Sequence, residues 1–131
     1  FPLYFGIMGI MSGTGLVEAL SMAMVRLATP ETFELWTVLS AGIVNVFVPS
    51  GGGQWAVQGP LLIRAALDLG VPLDRTILAM AYGDELTNML QPLWALPHLG
   101  IPGLAAKDIL PYTVRFLAVG LATCLILTVL F

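Results

Sequence analysis

Three stretches of this chain, Phe1 to Met11, Leu35 to Val48 and Phe116 to Phe131, hold no charged side chain. Their apolar residues come as continuous runs rather than as a stripe one helical face wide. Lipid is the solvent that suits such runs. Composition points the same way, because 58% of the residues are apolar and only 10% are charged, against roughly 25% charged side chains in soluble domains. So few charges cannot coat a surface exposed to water. The chain reads as an all-α integral membrane protein with several transmembrane helices.

The same composition excludes other classes. The formal charge is −3 and the five basic residues are scattered, so no patch exists to neutralise a nucleic-acid backbone, and no nucleic-acid partner is expected. One cysteine, Cys124, and one histidine, His98, exclude a disulfide framework and any metal site built from several Cys or His ligands. Residues 1–27 lack the basic start of a signal peptide and read as a membrane span. The sequence opens at Phe1, inside an apolar run, and is expected to be a single membrane-domain fragment of a longer protein.

Along the chain, residues 1–27 form the first predicted transmembrane helix, with Arg26 marking its exit into a polar loop. Gly9 and Gly13, four apart, suit close approach of a neighbouring helix, including one from a second copy in a homo-oligomer. Glu18 lies eight residues before Arg26, about 12 Å deeper at ~1.5 Å per helical residue. A carboxylate at that depth must be protonated, paired or turned to a polar cavity, so it serves either as an ion-coupling group or as a structural hydrogen bond. Residues 35–69 hold two short apolar arms around a tip at residues 49–54, Pro49-Ser50-Gly51-Gly52-Gly53-Gln54. That is the pattern of a re-entrant helical hairpin, whose non-helical backbone sits at membrane depth; an ordinary loop between two poor spans is the alternative. Residues 76–105 would span roughly 45 Å if fully helical, too long for a straight crossing. Their middle is interrupted by Gly83, Asp84, Glu85, Thr87, Asn88, Gln91 and Pro92, as in a discontinuous transmembrane helix. Residues 111–131 make a closing span, with Arg115 placed to snorkel and Cys124 as a small apolar residue.

Two groups of residues can carry chemistry. Asp84, Thr87, Asn88 and Gln91 are spaced to share one helical face, with Glu85 turned about 100° away. Their oxygens, with the Asn88 carbonyl that Pro92 would free, suit a hard monovalent cation. The plain alternative is a polar face that glues two helices. At the hairpin tip, Ser50, Gly51, Gly52, Gly53 and Gln54 place unpaired backbone N–H groups at the start of the second arm. Such a helix start attracts anions, so a small carboxylate substrate fits there, with Asn45 and Gln58 near in sequence and Trp55 as an apolar wall. A tight turn without a ligand is the rival reading of the glycine run.

Asn45 through Pro60, read through Ser50-Gly51-Gly52-Gly53-Gln54-Trp55-Ala56-Val57-Gln58-Gly59-Pro60, resembles the bacterial short-chain fatty acid transporter family. Gly83-Asp84, followed by Thr87-Asn88-Met89-Leu90-Gln91-Pro92-Leu93-Trp94-Ala95-Leu96-Pro97, is similar to its second hallmark. The resemblance covers essentially the whole chain and implies the C-terminal portion of a longer transporter. It implies uptake of short-chain acids such as acetoacetate or butyrate across the bacterial inner membrane. It also implies kinship with the wider ion-transporter superfamily, built from inverted repeats that each contain a re-entrant hairpin and a broken helix. This chain would be one such repeat, and the missing N-terminal half would supply the other.

The expectation is therefore secondary transport of a small carboxylate, with the tip gripping the anion. The Asp84 face either holds a coupling Na+ or H+ or hydrogen-bonds the substrate, and no other cofactor is expected. An intramembrane enzyme using Asp84 or Glu18 is a poorer reading, because no nucleophile-and-base pair accompanies them and His98 lies near an exit end. A structural or oligomerising membrane subunit would account for Gly9 and Gly13 but not for two polar breaks at depth.

Overall fold

The computed structural model describes residues 2–91 and 95–130, and among them forms seven α-helices and no strand. The first expected span is broken in two. Helix α1 (Pro2–Gly13) and helix α2 (Leu16–Val25) meet at a 60° bend. Gly15 makes the bend with φ 71°, a left-handed conformation that a β-carbon disfavours. Thr14 closes α1 by donating both its amide and its hydroxyl to the Ile10 carbonyl. Within this chain Gly9 and Gly13 make no close approach, since a β-carbon at either would meet nothing within 4 Å.

Helix α3 (Phe33–Phe47) stops where Pro49 follows, and helix α4 (Gly51–Leu69) starts immediately after Ser50. The glycines of the tip are thus helical, and the irregular segment shrinks to residues 48–50. The reason is the Ser50 cap: its carbonyl accepts from the Gln54 amide at 2.7 Å and its hydroxyl from the Gly53 amide at 3.3 Å. The chain then runs back along α3. Gln54 Nε2 donates to the Ala41 carbonyl at 2.9 Å, and one turn on Gln58 Nε2 donates to Ser40 Oγ at 3.2 Å. Gly70, with φ 71°, ends α4, and the Val71 amide reaches back to the Ala66 carbonyl at 2.8 Å.

Helix α5 (Leu73–Asn88) returns alongside α3 in the same direction, since Arg75 pairs with Glu34 at the first end and Asp84, Thr87 and Asn88 meet Asn45 at the other. Gly83 makes the crossing close: a β-carbon there would collide with the Val38 carbonyl oxygen and stand 2.7 Å from Ala41 Cβ. One core joins Phe33, Ala41, Leu62, Ala66 and Met80, and a second joins Met11, Val17, Val44 and Val48. In hydrocarbon such apolar contacts bring little transfer gain, because lipid tails are as apolar as Leu. Close glycine packing and buried hydrogen bonds therefore matter more to this bundle than buried area.

After Asn88 the helix gives way to a turn at residues 89–91, and the four-residue helix α6 (Leu96–Leu99) follows. The interruption falls later than the sequence suggests: Gly83, Asp84, Thr87 and Asn88 are all helical, and among the described residues beyond them only Leu96–Leu99 is helical before α7 begins. Pro92, with its predicted effect on the Asn88 carbonyl, lies outside the described residues. Helix α7 (Ala106–Leu130) begins earlier than residue 111, because Asp108 Oδ2 accepts from the Ala105 amide at 2.8 Å and fixes the first turn ahead of Pro111. Over Ala106–Leu127 it is long and apolar enough to cross a membrane, and the bent α1–α2 pair would make a second crossing if it acts as one span. Its Phe116, Val119 and Ile126 are exposed.

Candidate functional site

The end of α3, the start of α4 and the last turns of α5 converge, and Asn45 is their hub. Its side chain is fully buried, and Nδ2 donates to the Asp84 carbonyl at 2.7 Å, to Thr87 Oγ1 at 2.9 Å and to Asn88 Oδ1 at 2.9 Å. Two hydrogens are shared among three acceptors. The Asn45 backbone carbonyl accepts in turn from Gln91 Nε2 at 2.8 Å. Asp84, Thr87 and Asn88 of α5, with Gln91 just beyond its end, thus all meet Asn45, and much of their hydrogen-bonding capacity is spent holding α5 to α3.

Asp84 behaves differently. Its backbone is tied to α3 by Asn45, but its carboxylate reaches α4, where Oδ2 lies 3.2 Å from the place a Gly51 β-carbon would occupy. Gly51 is the first residue of α4, and in a helix start the first amides have no acceptor within the helix. Ser50 serves Gly53 and Gln54, which leaves the Gly51 and Gly52 amides for a group outside the helix. Their partial positive charge, summed with the helix dipole, favours an anion. Ser50, Gly51 and Gly52 are exposed at this tip, and a β-carbon at Gly52 would meet nothing within 4 Å.

Gln54 and Gln58 are placed away from the exposed tip. Both are fully buried and linked, Gln54 Nε2 to Gln58 Oε1 at 2.9 Å, so they lock α4 onto α3. The Trp55 ring folds over Gly59, 2.8 Å from where a β-carbon of that glycine would be. Glu18 is not brought to Asp84. It is exposed in the first turn of α2, with Oε2 3.0 Å from the position of a Gly15 β-carbon, where a carboxylate stabilises the helix start. Glu85 is exposed while Asp84 is half-buried, as their adjacent positions on a helix dictate. An apolar groove lined by Val38, Ile43, Val46, Leu86, Leu117 and Leu121 runs between α3, α5 and α7; Thr87 also lines it, but its hydroxyl donates to the Gly83 carbonyl at 3.1 Å.

Sequence reading missed two features. One is that Asn45 organises the site, although a lone amide in the otherwise apolar end of α3 was the available signal. The other is the contact between Asp84 and Gly51, which joins the two candidate constellations into one.

A helix start with open amides, a carboxylate beside it and a buried polar side chain thus lie together inside a markedly apolar helical chain. The chain belongs to the short chain fatty acid transporter family, whose family model matches residues 1–131. A protein of Escherichia coli (strain K12), named provisionally as a short-chain fatty acid transporter, is 43% identical over 117 residues, 89% of this chain and 27% of its own length. A protein of the same name from Haemophilus influenzae (strain ATCC 51907 / DSM 11121 / KW20 / Rd) is 43% identical over 112 residues, 86% of this chain and 25% of its own length. The chain thus spans about a quarter of the length of these curated relatives. No solved structure matches it.

Proposed function

We propose that the whole protein is a secondary transporter of small monocarboxylates, such as acetoacetate or butyrate, in the bacterial inner membrane. In this reading α3 and α4 form a re-entrant hairpin, α5 is the first half of a broken helix, and the chain is one of two inverted repeats. The observation that carries the reading is the start of α4, where the exposed Gly51 and Gly52 have no acceptor for their amides. A carboxylate is the group such a start takes, as in other transporters whose broken helices point their N-termini at anionic substrates. The substrate is coupled to a cation near Asp84, and the other repeat completes the site.

Gly52→Val tests the seat. Because a β-carbon at Gly52 meets nothing, the substitution leaves the protein folded and inserted while placing a branched side chain over the open amides. Radiolabelled butyrate uptake by vesicles containing the full-length parent is expected to fall roughly tenfold or more, the effect of ~1.4 kcal/mol of lost binding. Uptake at the parental rate removes the α4 start from the substrate site.

Depth is tested separately. Single cysteines at Ser50 and Gly52 are expected to react slowly with membrane-impermeant maleimides and to be protected by butyrate, whereas one at Asp68, near the far end of α4, reacts freely. Rapid labelling at Ser50 from the side opposite Asp68 makes the tip an extramembrane loop.

A further inference from the structure

Trp55 is the fifth residue of α4, one turn past its start, and is 37% exposed. The residues three and four before it are Gly52 and Gly51, and the residue four after it is Gly59. An aromatic side chain in a helix ordinarily leans back toward the N-terminus, over the residues three and four before its own. Trp55 leans the other way. Its ring lies on Gly59, where Cδ2, Cε3 and Cε2 stand 2.8, 2.9 and 3.0 Å from the place a β-carbon would occupy. A β-carbon does not tolerate such distances, so only glycine at position 59 admits this pose. The three atoms nearest that point all belong to Trp55, and Gly59 itself is buried. Gly83 makes room for the backbone of another helix, whereas Gly59 makes room for one indole on its own helix.

Nothing at the tip keeps the ring away from the start of α4. Gly51 and Gly52 carry no side chain, and a β-carbon at Gly52 would meet nothing within 4 Å. A ring turned in the ordinary direction would find that space and overhang the two amides that have no acceptor within the helix. We propose that Gly59 is a positioning residue of the substrate seat: by taking the Trp55 ring onto its bare backbone, it holds the indole off the Gly51 and Gly52 amides. The inference rests on the transport reading above and assigns what keeps that site open. An indole over the amides would exclude a carboxylate in two ways. It would fill the space the anion needs, and its face carries partial negative charge, which repels an anion. Parked on Gly59, the ring stands a turn behind the seat and leaves both amides to the substrate.

The test is butyrate uptake by vesicles containing the full-length parent, read as KM and Vmax. Gly59→Ala puts a β-carbon where the ring now lies, and alanine is otherwise the better helix former, so a loss does not come from helix propensity. The ring is expected to move over the tip. KM then rises roughly tenfold or more with little change in Vmax, as it does when the seat is open in about one molecule in ten. Trp55→Ala alone is expected to keep the parental KM, and Gly59→Ala combined with Trp55→Ala to return to it. Gly59→Ser, which carries the same β-carbon, takes the place of Gly59→Ala if that variant is not found in the vesicles. A parental KM in the Gly59 variant overturns the proposal, because the ring then needs no bed there. A double variant as impaired as the single one overturns it as well, since the loss then comes from Gly59 itself. So does a Trp55→Ala KM raised as far as that of Gly59→Ala, which would make the ring part of the seat. Each of these results leaves the transport reading intact, whereas a parent that takes up no butyrate overturns the transport reading itself.

Discussion

Gly83→Val is expected to prevent α3 and α5 from closing, so that the full-length parent is recovered as aggregate or with its thermal transition lost. The atoms a β-carbon would strike are the Val38 carbonyl oxygen, Ala41 Cβ at 2.7 Å and the Gly42 amide nitrogen at 3.0 Å. Two of these are backbone, which cannot rotate out of the way. Overpacking a well-filled core ordinarily costs about 1–3 kcal/mol, and the upper end or beyond applies where backbone must move. The displacement would also separate Asn45 from Asp84, Thr87 and Asn88, only a turn away. Gly83→Ala is expected to show the same effect in weaker form. Gly9→Ala supplies the contrast, because its β-carbon meets nothing and alanine is favoured over glycine in a helix by about 1 kcal/mol. The check is the melting temperature of the purified proteins in one detergent. If Gly83→Ala melts with the parent, the α3–α5 crossing is loose enough to admit a β-carbon at Gly83.

Glycine also shows what a sequence can and cannot convey. The apolar runs made the helical membrane class legible, because composition alone decides which solvent a segment can face. The stop at Pro49 was legible too, since proline cannot continue a helix. Which glycines end a helix was not. Gly51, Gly52 and Gly53 look like a loop but join α4, because the Ser50 cap makes a helix start where unpaired amides are normal in any case. Gly15 looks incidental but breaks the first span, because the bend depends on a positive φ that its neighbours do not signal. Glycine spacing alone likewise suggested a packing seam at Gly9 and Gly13, whereas the close crossing within this chain is at Gly83.

The candidate site was legible by halves. Periodicity put Asp84, Thr87, Asn88 and Gln91 on one face, but a face does not name its partner. Thr87, Asn88 and Gln91 bond to Asn45, some forty residues earlier, and the same oxygen-rich spacing would serve an ion as readily as it serves an amide. Asp84 is separated from its neighbours only by the direction of its carboxylate, toward Gly51, and that direction depends on α4 folding back over α3. Glu18 shows the opposite case: the rise from Arg26 does run along one helix, but the break at Gly15 makes Glu18 a first-turn carboxylate of that helix, on an exposed face.

Asn45 is the position where the largest loss from a single polar change is expected. Asn45→Ala removes the donor to three α5 acceptors, the Asp84 carbonyl, Thr87 Oγ1 and Asn88 Oδ1. Each neutral hydrogen bond contributes about 1 kcal/mol net, and a buried group left unpaired costs about 1–3 kcal/mol. In membranes such bonds average nearer ~0.6 kcal/mol, so a total of roughly 2–4 kcal/mol is expected rather than the upper sum. The melting temperature of the full-length parent reads this loss, and butyrate uptake should fall with it because Asp84 loses the bond that fixes its backbone. Asn45→Asp is nearly the same size and separates packing from chemistry. It sets a carboxylate oxygen where Nδ2 faced a carbonyl, a hydroxyl and an amide oxygen, within 2.9 Å of each. The Thr87 hydroxyl can turn to donate, giving up its bond to the Gly83 carbonyl at 3.1 Å, and the Asn88 amide can flip to present its nitrogen, but the Asp84 carbonyl has no proton to offer. Asn45→Asp should therefore be the less stable of the two despite filling the space that alanine empties. Should the aspartate variant match the parent in melting temperature and uptake, the Asn45 side chain is not the hub of the site, and the Gly83 crossing, the Glu34–Arg75 pair and the Gln91 bond to the Asn45 carbonyl suffice to hold α5 to α3.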